Sequence, residues 1–126
     1  MIIITGWSAR SLPAMVPRLR FRLKTNDSSS TAVLIASSGT LQEGAWTHVA
    51  AVYDGSHMIL YKDGVEVGRQ AKSGSIAVNS AVPVFIGANP PGASELRPFD
   101  GIIDEVRIYH QALSQSEIIA VIEGND

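Results

Sequence analysis

Cysteine is absent from this chain of 126 residues, and charge of either sign is sparse. Without thiols the chain forms no disulfide framework and offers neither a thiolate metal ligand nor a thiolate nucleophile. Charged residues make up 17% of the chain, and the formal net charge is −2. Bulk binding of nucleic acid needs a basic footprint, so this balance argues against a nucleic-acid partner.

Long hydrophobic runs are missing as well. The apolar run at the N-terminus has no basic segment ahead of it and is too short for a signal-peptide core or a membrane span. We therefore predict no membrane insertion, and this segment leaves the compartment open. We interpret Ile2 to Thr5 as an edge strand. Hydrophobic residues make up 45% of the chain, which is typical of an ordered protein, and the length fits one domain over residues 1–126.

The most informative stretch is residues 46–70. It contains three short apolar segments separated by two Asp-Gly pairs, Asp54-Gly55 and Asp63-Gly64. Asp-Gly between alternating apolar runs is a strong hairpin signal, because both residues tolerate positive φ. The stretch predicts a three-stranded antiparallel meander, which needs a second layer to cover its face. Residues 46–53 are largely apolar on both faces, so that strand should lie inside a sheet.

Four other segments predict strands: residues 18–24, 31–37, 82–87 and 99–109. The third contains Pro83, which favours an edge or terminal position. In the last, strict alternation would turn Ile102, Asp104, Val106 and Ile108 towards the core. That alternation would place a carboxylate on a buried face.

One segment has a clear helix signal. Ser114 and Glu117 have the spacing of a capping box, and Leu113 and Ile118 that of a hydrophobic staple. The helix that follows should dock its apolar stripe on the edge of the sandwich.

The order and spacing of these motifs resemble the laminin-G-like, concanavalin A-like lectin/glucanase domains. The matching segments are WTHVA (46–50), VYDG (52–55), LYKDG (60–64), IG (86–87), FDGIIDEVRIY (99–109), ALS (112–114) and EI (117–118). The resemblance extends over residues 18–122. It implies an all-β, two-sheet antiparallel jelly-roll sandwich with one short C-terminal helix.

The resemblance also implies a function class. Members of this family serve mostly as non-catalytic modules that bind a glycan or protein ligand, some with calcium, usually outside the cell or at its surface. The alternative is a structural or protein-interaction domain without a sugar site. The family pattern begins with further strands that have no room here, so the sandwich would be N-terminally truncated. We expect a homodimer that completes it.

The segment before the first long turn has an unusual charge pattern. Leu19, Phe21 and Leu23 alternate with four cations, so the cations share one face of a strand. These cations are Arg18, Arg20, Arg22 and Lys24. Together they could hold sulfated or uronate sugars, or another anion, by charge-assisted hydrogen bonds. The alternative is a solvated outer face whose cations pair with acids on neighbouring strands.

Carboxylates near the last strand raise two further hypotheses. Asp100 and Asp104 are candidate calcium ligands, although two carboxylates fall short of the oxygens that calcium prefers. Alternatively, Asp104 accepts backbone hydrogen bonds and fixes a loop. Asp104 and Glu105 also invite comparison with glycosidases. Adjacent residues of a regular strand point to opposite faces and cannot flank one bond, so we expect no enzyme activity.

Trp46 could be a stacking platform for sugar rings, but its place in the family's core motif favours packing. The three histidines, His48, His57 and His110, lack the spacing of metal ligands and are expected to be structural or exposed. The loop over residues 89–98 lies at a predicted strand end, where binding loops commonly occur.

Overall fold

A computed structural model describes residues 17–27, 30–81, 83–89, 92 and 98–125, and the backbone of residues 2–5. These residues form seven strands and one helix: β1 (Ile2–Thr5), β2 (Arg20–Leu23), β3 (Ala32–Ile35), β4 (His48–Tyr53), β5 (His57–Lys62), β6 (Val65–Ala71), β7 (Asp104–Ile108) and α1 (Gln115–Ile122). Five strands make one sheet in the order β6-β5-β4-β1-β7, and β2 and β3 make a second. Every strand pairing is antiparallel, as a concanavalin A-like sandwich requires.

Both Asp-Gly turns of the predicted meander are present. Asp63 and Gly64 have φ of 49° and 76°, the positive values that a two-residue hairpin turn needs. The first turn works differently. There the carboxylate Oδ1 of Asp54 accepts from the backbone N–H of Ser56 at 2.8 Å and of His57 at 2.6 Å. Asp54 thus closes its turn with its side chain, and Gly55 takes the positive φ.

The five-stranded sheet is covered on both faces around β4 and β5. On one face Met58 and Leu60 of β5 pack with Leu23 of β2 and Leu34 of β3, which forms the core between the two sheets. On the other face α1 inserts Ile118, which is fully buried against the sheet. The residues around it are Ala50, Val52, Ile59, Tyr61 and Leu113. The helix therefore docks on a sheet face, and the expectation that it docks on the edge is wrong.

The helix begins as its sequence predicts. The Ser114 hydroxyl accepts from the Glu117 N–H, and the Glu117 carboxylate accepts from the Ser114 N–H at 2.7 Å. The Ser114 hydroxyl and N–H hold the pKa of Glu117 below its usual value. This capping box satisfies donors that the first turn leaves without intrahelical partners.

The N-terminal strand is interior, so its assignment as an edge strand is wrong. β1 pairs with β4 on one side and with β7 on the other. Three successive isoleucines are typical of a strand with neighbours on both sides, and a place near the chain terminus does not fix a place in the sheet.

Residues 83–87 do not form the predicted strand, and Val82 lies outside the described residues. Val84 is 78% exposed and Ile86 58% exposed. Pro83 has no N–H to donate to a ladder, and Gly87 turns the chain with a φ of 78°. This apolar run is therefore too short and too interrupted to pair as a strand.

β7 is shorter than predicted, because residues 99–103 are not strand. Its register also contains an irregularity: Ile3 of β1 lies opposite Arg107, whereas Thr5 lies opposite Asp104. Three steps along β7 therefore match two along β1. Glu105 lies in this extra length with a φ of 51°, which is the geometry of a β-bulge.

Strict alternation fails at this bulge, and the prediction that four alternate residues of the last strand face the core is wrong. Ile102 and Ile108 are each 65% exposed, and Asp104 is exposed as well. Only Val106 of that set is half-buried. The two-stranded sheet contacts β5 and β6, at the opposite end of the five-stranded sheet from β7. Ile108 therefore lies beyond the area that this second sheet covers.

Candidate ligand-binding face

Arg20 and Arg22 lie on the exposed face of β2, and Arg18 and Lys24 flank its two ends. Arg18, Arg20, Arg22 and Lys24 are all exposed. Leu19, Phe21 and Leu23, which alternate with them, pack into the core between the sheets. We call the four the cationic row. Alternate residues of a strand lie about 6.7 Å apart, so the row extends over about 20 Å.

Ion pairing separates this row from the other described cations. Arg69, Lys62, Arg107 and Lys72 each have a carboxylate oxygen within 4 Å, at 2.7, 2.7, 3.0 and 3.7 Å respectively. Among the described residues, no carboxylate oxygen lies within 4 Å of a cation in the row. The described part of the chain therefore does not provide the neighbouring acids that the alternative interpretation needs.

The neighbouring strand adds apolar groups to the same face. In the register of β2 and β3, Arg20 is opposite Ile35 and Arg22 is opposite Val33. Ile35 is 56% exposed and Val33 is half-buried. We call these two residues the aliphatic row. The outer face thus combines a line of cations with a parallel line of side chains that cannot donate or accept hydrogen bonds.

The Lys24 end of the row is fixed by a polar cluster that the sequence analysis did not identify. Both carboxylate oxygens of Asp27 accept hydrogen bonds at 2.5 Å, Oδ1 from the Thr25 hydroxyl and Oδ2 from the Ser73 hydroxyl. The bonds from Ser73 and Thr25 lower the pKa of Asp27. We call Thr25, Asp27 and Ser73 the Asp27 clasp. It ties the end of β2 to the loop after β6.

Backbone bonds hold both ends of this strand. The Asn26 N–H donates to the Ser75 carbonyl at 2.9 Å, and the Ala77 N–H donates to the Lys24 carbonyl at 3.0 Å. At the other end the Leu41 N–H donates to the Pro17 carbonyl at 3.1 Å. The cationic row therefore stands on a backbone that is anchored before and after it.

The predicted calcium ligands have a different environment from the one expected. Asp100 and Asp104 are both exposed, and the Asp104 Oδ1 accepts from the Glu105 N–H at 2.8 Å. The described residues contain no group of three or more histidine, aspartate or glutamate side chains that could hold a metal. The donor set in this part of the chain is therefore well below the six to eight oxygens of a calcium site.

The carboxylates of β7 are engaged with their own strand. The Arg107 Nη2 donates to the Glu105 Oε2 at 3.0 Å. Asp104 accepts from the backbone as described above. Sugar hydrolysis needs one carboxyl to donate a proton and another to attack or activate water across the same bond.

Trp46 is 59% exposed, so the expectation that it packs in the core is wrong. It immediately precedes Thr47 and β4, and its position leaves most of the indole in solvent. Its exposure keeps the stacking hypothesis open.

The histidines are dispersed. His48 is buried, and neither ring nitrogen has a hydrogen-bond partner among the described residues. Burial lowers the pKa of His48, the nearby Asp63 carboxylate opposes that shift, and Arg107 adds to it. The His57 Nδ1 lies 2.9 Å from the Ser56 hydroxyl, and His110 is exposed. Most of the loop predicted over residues 89–98 lies outside the described residues.

Comparison with known proteins finds relatives that are much longer than this chain. It is 35% identical over 96 residues to adhesion G-protein coupled receptor V1 of Danio rerio, an alignment that covers 75% of this chain and 2% of the receptor. It is 31% identical over 111 residues to pappalysin-1 of Mus musculus, covering 85% of this chain and 6% of that protein. The chain thus corresponds to a small part of each relative.

No helix in the described part of the chain is both long and apolar enough to cross a membrane. The model of the Laminin_G_3 family, described as the concanavalin A-like lectin/glucanases superfamily, matches residues 5–119. That match includes the last residue of β1, all of β2 to β7 and most of the helix. Together with the antiparallel layers described above, it shows that the chain belongs to the Laminin_G_3 family of concanavalin A-like domains.

Proposed function

We propose that this domain is a non-catalytic module that binds acidic carbohydrates, with the cationic row as its binding site. The observation that carries the proposal is the contrast in ion pairing. The other described lysines and arginines have carboxylate partners, whereas the four cations of the row face solvent with none among the described residues. Family membership supports a binding module, and the charge of the row supports an anionic ligand.

The chemistry of the row suits sulfate and carboxylate groups. Three of its four members are arginines, whose planar guanidinium can donate two parallel hydrogen bonds to one anionic group. A net charge of −2 for the chain gives no general attraction for polyanions, so any such attraction must be local. The zebrafish relative is named an adhesion receptor, which agrees with a module that binds a ligand rather than converts it.

The direct experiment compares two substitutions that lower the net charge equally. Arg22→Gln removes a cation of the row, and Arg69→Gln removes one that is already paired with Glu66. Binding to a sulfated polysaccharide, a uronate polysaccharide and a neutral polysaccharide is measured by calorimetry. We expect Arg22→Gln to weaken acidic-glycan binding by about tenfold, a loss of about 1.4 kcal/mol, and Arg69→Gln to leave it within about twofold.

Equal losses of affinity for the two variants would contradict the proposal, as would absence of binding to both acidic polysaccharides by the folded protein.

Calcium is a variable of the same experiment. Because the row can supply all of the charge complementarity, we expect the same affinity in calcium and in a chelator. Affinity that disappears with the chelator would instead support the aspartate hypothesis for Asp100 and Asp104.

A protein-interaction role is the second candidate, and exposed apolar side chains favour it. We propose that the partner is a second copy of this chain. Ile102 and Ile108 are each 65% exposed around β7, at the end of the sheet that β2 and β3 do not cover. The cationic row would repel its own copy, so the contact between copies should lie on the β7 side of the molecule.

A further inference from the structure

The shape of the cationic row restricts which acidic ligand can use all of it. Its four charges follow β2 and the residues just beyond its two ends. At the spacing of an extended chain they cover about 20 Å, at intervals of about 6.7 Å. A sugar with a single terminal anionic group would contact one or two of these charges. A ligand that engages Arg18 and Lys24 together must carry anionic groups repeated along a linear chain.

The aliphatic row adds a second restriction. Ile35 and Val33 lie directly across from Arg20 and Arg22, and neighbouring strands are about 4.8 Å apart. A ligand lying over both rows meets cations along one edge and aliphatic carbons along the other. Pyranose chains match this arrangement, because each ring has an apolar C–H face in addition to its polar substituents. A polyphosphate chain has anionic oxygens on every side, so it offers no apolar surface for the Ile35 side chain to contact.

From this geometry we infer that the outer face of β2 and β3 binds a linear acidic polysaccharide laid along β2. Its sulfate or carboxylate groups contact the cationic row, and the C–H faces of its rings contact Val33 and Ile35. The inference rests on the proposed function and adds the ligand's linear form, its direction on the protein and the contribution of β3.

Hydrogen bonds anchor the backbone at both ends of this site, which favours binding of a regular chain. The Asp27 clasp and the Ala77–Lys24 backbone bond hold one end of the row. The bond from Leu41 to Pro17 holds the other. Because the backbone is already in place, the ordering cost of binding falls on the four side chains alone.

The experiment uses sulfated oligosaccharides of one composition in increasing length, with linear polyphosphate as an anion that lacks C–H faces. Wild type is compared with Ile35→Ser and with Val65→Ser, a matched control in which a similarly exposed aliphatic residue of β6 is replaced. We expect affinity to rise with oligosaccharide length and to level off once the chain spans the four cations. We expect Ile35→Ser to weaken oligosaccharide binding by about threefold to tenfold while polyphosphate binding stays unchanged.

The salt dependence gives an independent readout. Each phosphate or sulfate contact releases condensed counterions, so Arg22→Gln should reduce the slope of log affinity against log salt by about one. Ile35→Ser should leave that slope unchanged. Equal affinities for a disaccharide and a long chain would overturn this inference but not the proposed function. Equal losses of affinity for Ile35→Ser and Val65→Ser would have the same consequence. Absence of acidic-glycan binding would overturn the proposed function itself.

Discussion

Two kinds of cation in this chain differ at the scale of single side chains. The Arg69 guanidinium donates to both carboxylate oxygens of Glu66, at 2.9 and 2.7 Å, whereas Arg22 has no described carboxylate nearby. An exposed ion pair contributes at most about 1 kcal/mol to stability, but it occupies the donors of the guanidinium. The donors of Arg22 therefore remain available to a ligand.

His48 gives the domain a specific response to acid. Its imidazole is buried at the start of β4 with Asp63 and Arg107 as the charged groups that act on it, and burial lowers its pKa. As pH falls below about 6.5, the unfolded chain takes up this proton before the folded protein does. The contribution of His48 to stability is therefore complete above that pH and is lost as pH falls towards the lower folded pKa.

We expect the midpoint of urea unfolding to decrease between pH 7.5 and pH 5. An NMR titration identifies the group: the pKa of His48 should lie below the ordinary histidine value of about 6.5. A His48 resonance that titrates at or above about pH 6.5 would show that the buried ring is not the source.

Asp27 should contribute more to the stability of the domain than its exposed position indicates. Its carboxylate receives two hydroxyl hydrogen bonds, and its pKa is lowered by them. We expect Asp27→Asn to destabilise the domain and to speed hydrogen exchange of the Asn26 and Ala77 amides, which lie beside the clasp. Asp100→Asn is the control. Exchange that is equally slow in both variants would argue against the clasp.

At the scale of elements, α1 and the β5–β6 turn depend on each other. The side-chain amide of Gln115 donates to the Gly64 carbonyl at 2.8 Å. A Cβ built on Gly64 would lie 2.9 Å from Ile119 Cγ1 and 3.4 Å from Ile122 Cδ1. The helix therefore packs directly on a glycine that the turn already requires for its positive φ.

Gly64→Ala tests this contact, with Gly44→Ala as its control. Both glycines have positive φ, but a Cβ on Gly44 would meet nothing within 4 Å. Gly44→Ala should cost about 1 kcal/mol of unfolding free energy through backbone strain alone. Gly64→Ala should cost about 1–3 kcal/mol more, because α1 must shift. Equal losses in urea unfolding would mean that the helix does not rest on this turn.

Local sequence signals suffice to predict some of these elements and not others. Alternation in β2, the Asp63-Gly64 turn and the Ser114–Glu117 capping box depend on residues close in sequence, and all three were predicted from it. The bulge at Glu105 and the interior place of β1 depend on distant strands, so periodicity could not predict them. Likewise, the cationic row was predicted, but its lack of described partners depends on where the acids of other elements lie.

At the scale of the whole molecule, the β7 end of the large sheet should be where two copies meet. We expect light scattering at micromolar concentration to give the mass of a homodimer, and Ile108→Asp to give that of a monomer. Val78→Asp, at a position that is 88% exposed in a loop, should leave the dimer intact. A wild-type protein that is monomeric under these conditions would exclude the dimer.

If the molecule is a binding module for acidic glycans, the ligand must contact the cationic row and the aliphatic row. The most direct measurement is an NMR titration of the isotope-labelled domain with a sulfated oligosaccharide. We predict the largest amide and guanidinium shifts at residues 18–24 of the cationic row and at Val33 and Ile35. Shifts centred on Trp46 or on residues 98–104, with the two rows unperturbed, would contradict it.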